Sequence, residues 1–130
     1  MKGRVDIMKK AFTNGDLAKI AAALEEAAAK DIVMPPKVAY KIIKNKAAIK
    51  QALAPFNEAR DEIIKQKSGG RPTVDGKEEP QLFREIVGAI DEIARETVEI
   101  EIATVGLDEM PDSGVPISFI SALDFMIEEG

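Results

Sequence analysis

In "TNGDLAKIAAALEEAAAK" the apolar residues Leu17, Ile20, Leu24 and Ala28 return every three or four positions, the period of a helix with one buried face. Thr13 or Asn14 stands where an N-cap belongs, and Asp16 suits the positive end of the helix dipole. The helix ends before "MPPK", because Pro35 disfavours helical geometry at Met34 while two successive prolines suit the start of a new helix. From Lys37 to about Lys67, a second and longer helix is predicted by Val38, Ile42, Ile49, Leu53, Phe56 and Ile63. Ile42, Ile49, Phe56 and Ile63 are seven residues apart, the spacing of helix-on-helix packing, and Asn45, Ala52 and Ala59 hold the companion position. Small residues and one polar one in that seam point to an intramolecular hairpin rather than a free-standing coiled coil. Pro55 removes one backbone donor inside the stripe, yet the apolar register continues past it, so a kinked helix is expected.

"KSGGRPTVDGKEEP" closes that helix with Gly69 and Gly70 and carries the turn signal Asp75-Gly76, so residues 68–79 are expected to be a flexible loop or a short hairpin. In "PQLFREIVGAIDEIARE" Pro80 suits a first turn, and Leu82, Ile86, Ala89 or Ile90, and Ile93 share one side of a third helix. The pattern then changes period. In "ETVEIEIATV" Val98, Ile100 and Ile102 alternate with Glu99 and Glu101, which is the signature of a strand with one buried face. "GLDEMPDSGVP" is an acidic connector, after which Ser118 can cap a short helix carrying Phe119, Ile120, Leu123, Met126 and Ile127, too many large apolar residues for one narrow face.

A single strand cannot satisfy its own backbone, so the segment that pairs with residues 97–104 matters. Within "GRVDIMKKAF", Val5 and Ile7 alternate with Arg4 and Asp6, and Lys9 and Lys10 can face Glu99 and Glu101 across an antiparallel pair. A second copy, another protein, or the loop around Thr73 and Val74 are the other partners the sequence leaves open. Even a completed two-stranded ribbon keeps open edges on which a partner can add a strand. The expected fold is thus α+β and predominantly helical: an antiparallel helical hairpin, a third helix, a small two-stranded ribbon and a short C-terminal helix, all in one domain spanning residues 1–130.

Composition narrows the chemistry. There is no cysteine and no histidine, which removes disulfides, thiolate nucleophiles, imidazole bases and the usual zinc or iron ligands. Carboxylates remain: Glu78 and Glu79, Asp91 and Glu92, Asp108, Glu109 and Asp112, and Asp124 with Glu128. None has the spacing of a calcium loop, so neither a metal nor a catalytic residue is assigned. Gly69 and Gly70 lack the preceding strand and the following Lys-Ser/Thr of a phosphate loop. With only five Phe, one Tyr and no Trp, there is no sugar-stacking platform for paired carboxylates to serve. No cofactor is expected, and no apolar run reaches the roughly 20 residues of a membrane span.

The net charge of −5 hides an asymmetry, for residues 1–68 carry a net +6 and residues 69–130 a net −11. Lys37, Lys41, Lys44, Lys46 and Lys50 make a basic run in the second helix, but with little aromatic interleaving and no arginine cluster it does not argue for nucleic acid. An acidic surface aimed at a basic protein is the sharper alternative to two halves that fold onto one another. Glu99, Glu101, Asp108, Glu109 and Asp112, with Phe119, Leu123 and Met126, are the candidate protein-binding residues on this basis.

The order of the segments "LAKIAAALEEAAAKDIVMPPKVAYKIIKNKAAIKQALAPFNEARDEIIKQ", "FREIVGAIDEIARETVEIEIATVGLDEM" and "ALDFMIEE" resembles that of small proteins encoded by tailed bacteriophages and prophages. The resemblance implies a start near Met8, with residues 1–7 as an extension, and a place in the host cytoplasm or the virion. It carries no catalytic residues. The expected function is a non-enzymatic protein-binding module: the resemblance and the apolar chain end favour a virion component or assembly factor that self-associates or joins a phage structural protein, and the −11 C-terminal half favours instead an inhibitor of a host defence or regulatory protein.

Overall fold

The computed structural model describes residues 7–29, 33–110, 115 and 117–128. Strand β1 (Ile7–Thr13) leads into helix α1 (Asn14–Ala28), followed by α2 (Pro36–Ser68), α3 (Pro80–Ala94), β2 (Thr97–Ala103), the two-residue β3 (Val105–Gly106), α4 (Ile117–Leu123) and the two-residue β4 (Ile127–Glu128). The fold is α+β and predominantly helical, as the change of period along the sequence implies.

Thr13 is the N-cap of α1: its hydroxyl accepts a hydrogen bond from the Asp16 amide at 3.0 Å. Asn14 is buried instead, donating through Nδ2 to the Ile93 carbonyl at 3.0 Å, and its amide donates to the Glu96 carbonyl at 2.9 Å. These bonds fasten the start of α1 to the end of α3, so a helix start is fixed by the residue after its cap. Leu17 and Leu24 are core residues as the periodicity predicts, but Ala27 rather than Ala28 completes the face.

Helix α2 begins with Pro36 in its first turn and runs unbroken through Pro55 to Ser68. Gly69 ends it at φ 76°, a left-handed conformation in which glycine avoids the Cβ clash, and the Gly70 amide donates to the Lys65 carbonyl at 2.7 Å. The stripe Val38, Ile49, Leu53 and Phe56 is buried, with Ile42 and Ile63 half-buried at its margins. Both shorter helices, α1 and α3, pack on this long one and on each other. The core joins Leu17 and Leu24 of α1, Ile49, Leu53 and Phe56 of α2, Ile102 of β2, and Leu123 and Met126 near the chain end. Each such side chain contributes about 1.5–3 kcal/mol on leaving water.

Between α2 and α3 no strand forms, so the hairpin alternative for this loop is set aside. The loop is closed instead by a bidentate ion pair, with Arg71 donating to Glu79 at 2.6 and 3.1 Å, and by Ser68, whose hydroxyl accepts from the Arg71 amide at 3.0 Å. The hydrogen bond from Arg71 holds the Glu79 carboxyl below the usual glutamate range, and the same bond raises Arg71. Gly76 lies against the Phe83 ring so closely that a Cβ there would stand 3.1 Å from it.

The strand β2 pairs antiparallel with β1, in the register Ile7↔Ala103, Lys9↔Glu101, Ala11↔Glu99 and Thr13↔Thr97, with Met8, Lys10 and Phe12 opposite Ile102, Ile100 and Val98. Of the N-terminal segment expected here, Arg4, Val5 and Asp6 lie outside the described residues. Only Lys9 faces a glutamate. Successive residues of a strand point to opposite faces, so Lys10 shares the inner face with Ile100 and sends its ammonium group to the Phe125 carbonyl at 2.7 Å.

The end of the chain corrects the sequence expectation. Helix α4 starts at Ile117, so Ser118 falls in its first turn rather than at a cap. The helix covers about two turns, then tightens into a 3-10 turn at Asp124–Met126, and Ile127 leaves it to pair in parallel with Val105. Phe119, Leu123 and Met126 are 7%, 0% and 0% exposed. The break turns Phe119, Leu123 and Met126 into the core, while Ile127 is half-buried and Ile120 stays exposed, as an excess of apolar residues on one short helix implies.

Candidate functional site

Strand β2 has two edges, and only one belongs to β1. On the other side runs α2, whose Asn45 is 1% exposed and uses its whole amide on the strand and its surroundings. Its Nδ2 donates to the Ala103 carbonyl at 2.8 Å and approaches Met126 Sδ at 3.3 Å, while its Oδ1 accepts from the Ala103 amide at 2.7 Å. The side chain thereby replaces a strand partner for one residue. Four positions earlier on the same helix, Lys41 donates to the Thr104 carbonyl at 2.8 Å.

This clip fixes which backbone groups of β2 point where. In an antiparallel pair the amide and carbonyl of one residue point to the same edge, and the edge alternates along the strand. Since Ala103 points to Asn45, Glu101 and Glu99 point to the α2 side too, and Val98, Ile100 and Ile102 exchange their bonds with β1. The Glu96 carbonyl, which takes the Asn14 amide, obeys the same parity on the β1 side. Among the described residues, β1 is the only strand paired with β2, so past Asn45 the amides and carbonyls of Glu99 and Glu101 meet no strand.

A groove of about 440 Å³ lies along that edge. One wall is α2, with Asn45, Ala48, Gln51 and Ala52; the other is β2, from Val98 to Ala103. The wall is low because Ala48 and Ala52 are small, and Asn45 closes the groove at its Ala103 end. A second groove of about 460 Å³ separates α1 from α2 over Leu24, Ile49 and Leu53. At its rim Lys46 is tied to Glu25 at 3.0 Å, and it offers helix side chains rather than open backbone.

The residues singled out from the sequence are dispersed. Glu99 and Glu101 are exposed on the outer face of β2, beside the groove, and neither has a cation within 4 Å among the described residues. Asp108 is exposed and Glu109 half-buried in a 3-10 turn, Leu107–Glu109, where Glu109 accepts from the Gly106 amide at 3.0 Å and lies 3.9 Å from the Lys41 ammonium. Asp112 lies outside the described residues. Phe119, Leu123 and Met126 are core, so no joint acidic and apolar C-terminal surface assembles from these residues. The groove residues of α2 were not singled out, although Asn45 was visible as the one polar residue in an apolar seam.

Among the described residues no three acidic side chains converge as metal ligands would, and no helix is long and apolar enough to cross a membrane. Comparison with protein-family models, with curated proteins and with solved structures gives no match to this chain.

Proposed function

We propose that this chain is a non-enzymatic protein-binding module that takes an extended segment of its partner as an added strand on the free edge of β2. The observation that carries this reading is the open backbone of Glu99 and Glu101 beside a groove walled by α2. Strand addition draws its affinity from main-chain hydrogen bonds and its selectivity from the side chains that alternate along the added segment. The resemblance to small phage and prophage proteins supports a role as a virion component or assembly factor. Inhibition of a host protein through the C-terminal surface is the weaker alternative, because Phe119, Leu123 and Met126, its candidate apolar residues, are buried.

The test uses a photo-crosslinking amino acid at Gln51, on the groove wall, in cells that express the chain. Capture of a protein through one extended segment is expected, and Glu99→Pro should abolish it. Proline removes an amide that points to the groove and takes no part in the β1 pairing, so the fold stays intact. Capture indifferent to Glu99→Pro, with unchanged melting, would refute strand addition.

A further inference from the structure

We infer that the segment accepted by this groove is basic: an extended stretch of alternating residues with Lys or Arg opposite Glu99 and Glu101 and small apolar residues between them. This rests on the proposed reading of the groove as the binding site.

The outer face of the ribbon carries the reason. Across the β1 pairing, Glu101 is opposite Lys9, whereas Glu99 is opposite Ala11 and has no cationic neighbour across the ladder. An added strand would bring its own residues opposite the same two glutamates from the other side, at the short Cβ separations where opposite charges attract and like charges repel. Alternate residues of that strand would turn to the inner side, where Ala48 and Ala52 line the groove and leave room for small side chains. Among the described residues that line the groove, Lys44 is the one cation, and it belongs to the turn of α2 that holds Asn45, so it lies at the closed end. The added strand must stop there, because Asn45 already occupies both backbone groups of Ala103. The basic positions therefore fall on the open stretch at Glu99 and Glu101.

Charge also argues against a second copy of this chain as the occupant. An antiparallel β2–β2 pairing centred on Ile100 would set Glu99 of one copy directly against Glu101 of the other, twice over, which is a repulsive arrangement. Charged residues on an open edge commonly serve to keep like edges apart. A cationic strand converts the same pair of charges from repulsion to attraction.

The experiment titrates the full chain with two synthetic peptides, acetyl-KVKVK-amide and acetyl-EVEVE-amide, and follows backbone amide resonances by NMR. The lysine peptide is expected to shift the amides of Glu99 and Glu101 saturably, with affinity at least roughly tenfold above the glutamate peptide at low salt. That difference should shrink as salt is raised. The charge-reversed variant Glu99→Lys, whose partner across the ladder is Ala11, should remove the preference for the lysine peptide while leaving the thermal melt of the free chain little changed. Equal binding of the two peptides would overturn this inference and leave the groove reading standing. Failure of both peptides to perturb Glu99 and Glu101 would overturn both. Shifts of these amides that follow protein concentration, with no peptide present, would make a second copy the occupant and overturn the inference.

Discussion

Replacing Asn45 by alanine should strip β2 of the partner that holds both backbone groups of its groove-side edge at Ala103. Ala103 is 6% exposed and its amide and carbonyl are both bonded to the Asn45 side chain, at 2.7 and 2.8 Å. Removing one side of a buried hydrogen bond costs the desolvation of the orphaned group, about 1–3 kcal/mol for each of the two. Water entering the vacated space recovers part of this, which sets the expected loss at about 3 kcal/mol. For a domain of this length, 1 kcal/mol corresponds to about 4 °C in Tm, so a fall of about 12 °C is expected. Asn45→Asp keeps the shape but exchanges the donor for an acceptor that is charged when ionised, so it perturbs hydrogen bonding and charge with little change in packing. A carboxylate would accept from the Ala103 amide but turn a second acceptor on the Ala103 carbonyl. A protonated carboxyl restores the pattern of the amide. The folded variant therefore binds its proton more tightly than the unfolded chain, and its deficit relative to the wild type should shrink as pH falls from about 7 to about 4. Urea unfolding followed by circular dichroism measures both. A loss below about 1 kcal/mol in the alanine variant, or the same aspartate deficit at both pH values, would refute the clip.

Leu123→Ala should cost about 2–5 kcal/mol by the same unfolding assay, because Leu123 is fully buried; a neutral result would return α4 to the surface. Gly76→Ala should cost less than about 1 kcal/mol, because the Phe83 ring it meets is exposed and can give way, and a Phe83→Ala background should absorb that cost; additive effects would break the assignment. The Glu79 carboxyl is held low by its hydrogen bond from Arg71, so whatever the pair contributes is present above the ordinary glutamate pKa and fades as pH falls through the lowered one. An NMR titration should find Glu79 ionising below an ordinary glutamate, and Arg71→Ala should return it to the usual range.

The helices were legible because their apolar residues recur at a period that only one backbone geometry satisfies, and α2 survives Pro55 for the reason its stripe implied. The ribbon was legible too, though its details were not. Alternation forces adjacent Lys9 and Lys10 to opposite faces, and no feature of "MKK" alone says which one meets a glutamate. Nothing local marked the two-residue parallel pairing of β3 with β4, since Val105 and Ile127 meet only after the whole core is assembled. The same holds for Phe119, Leu123 and Met126: an excess of apolar residues reads equally as a binding patch or as a helix that breaks inside the core, and tertiary packing decided for the core. Of the candidate site, Glu99 and Glu101 were visible in the strand pattern, but Ala48, Gln51 and Ala52 acquire their part only from lying along an edge contributed by a segment some 50 residues away.

Residue-resolved amide hydrogen exchange along β2 of the free chain tests the open edge most directly. The bonds assigned here predict slow exchange at Val98, Ile100 and Ile102, which pair with β1, slow exchange at Ala103, which Asn45 holds, and fast exchange at Glu99 and Glu101, which point into the groove. Protection of Glu99 and Glu101 equal to that of Ile100 would mean that the edge is already occupied, and no strand could be added there.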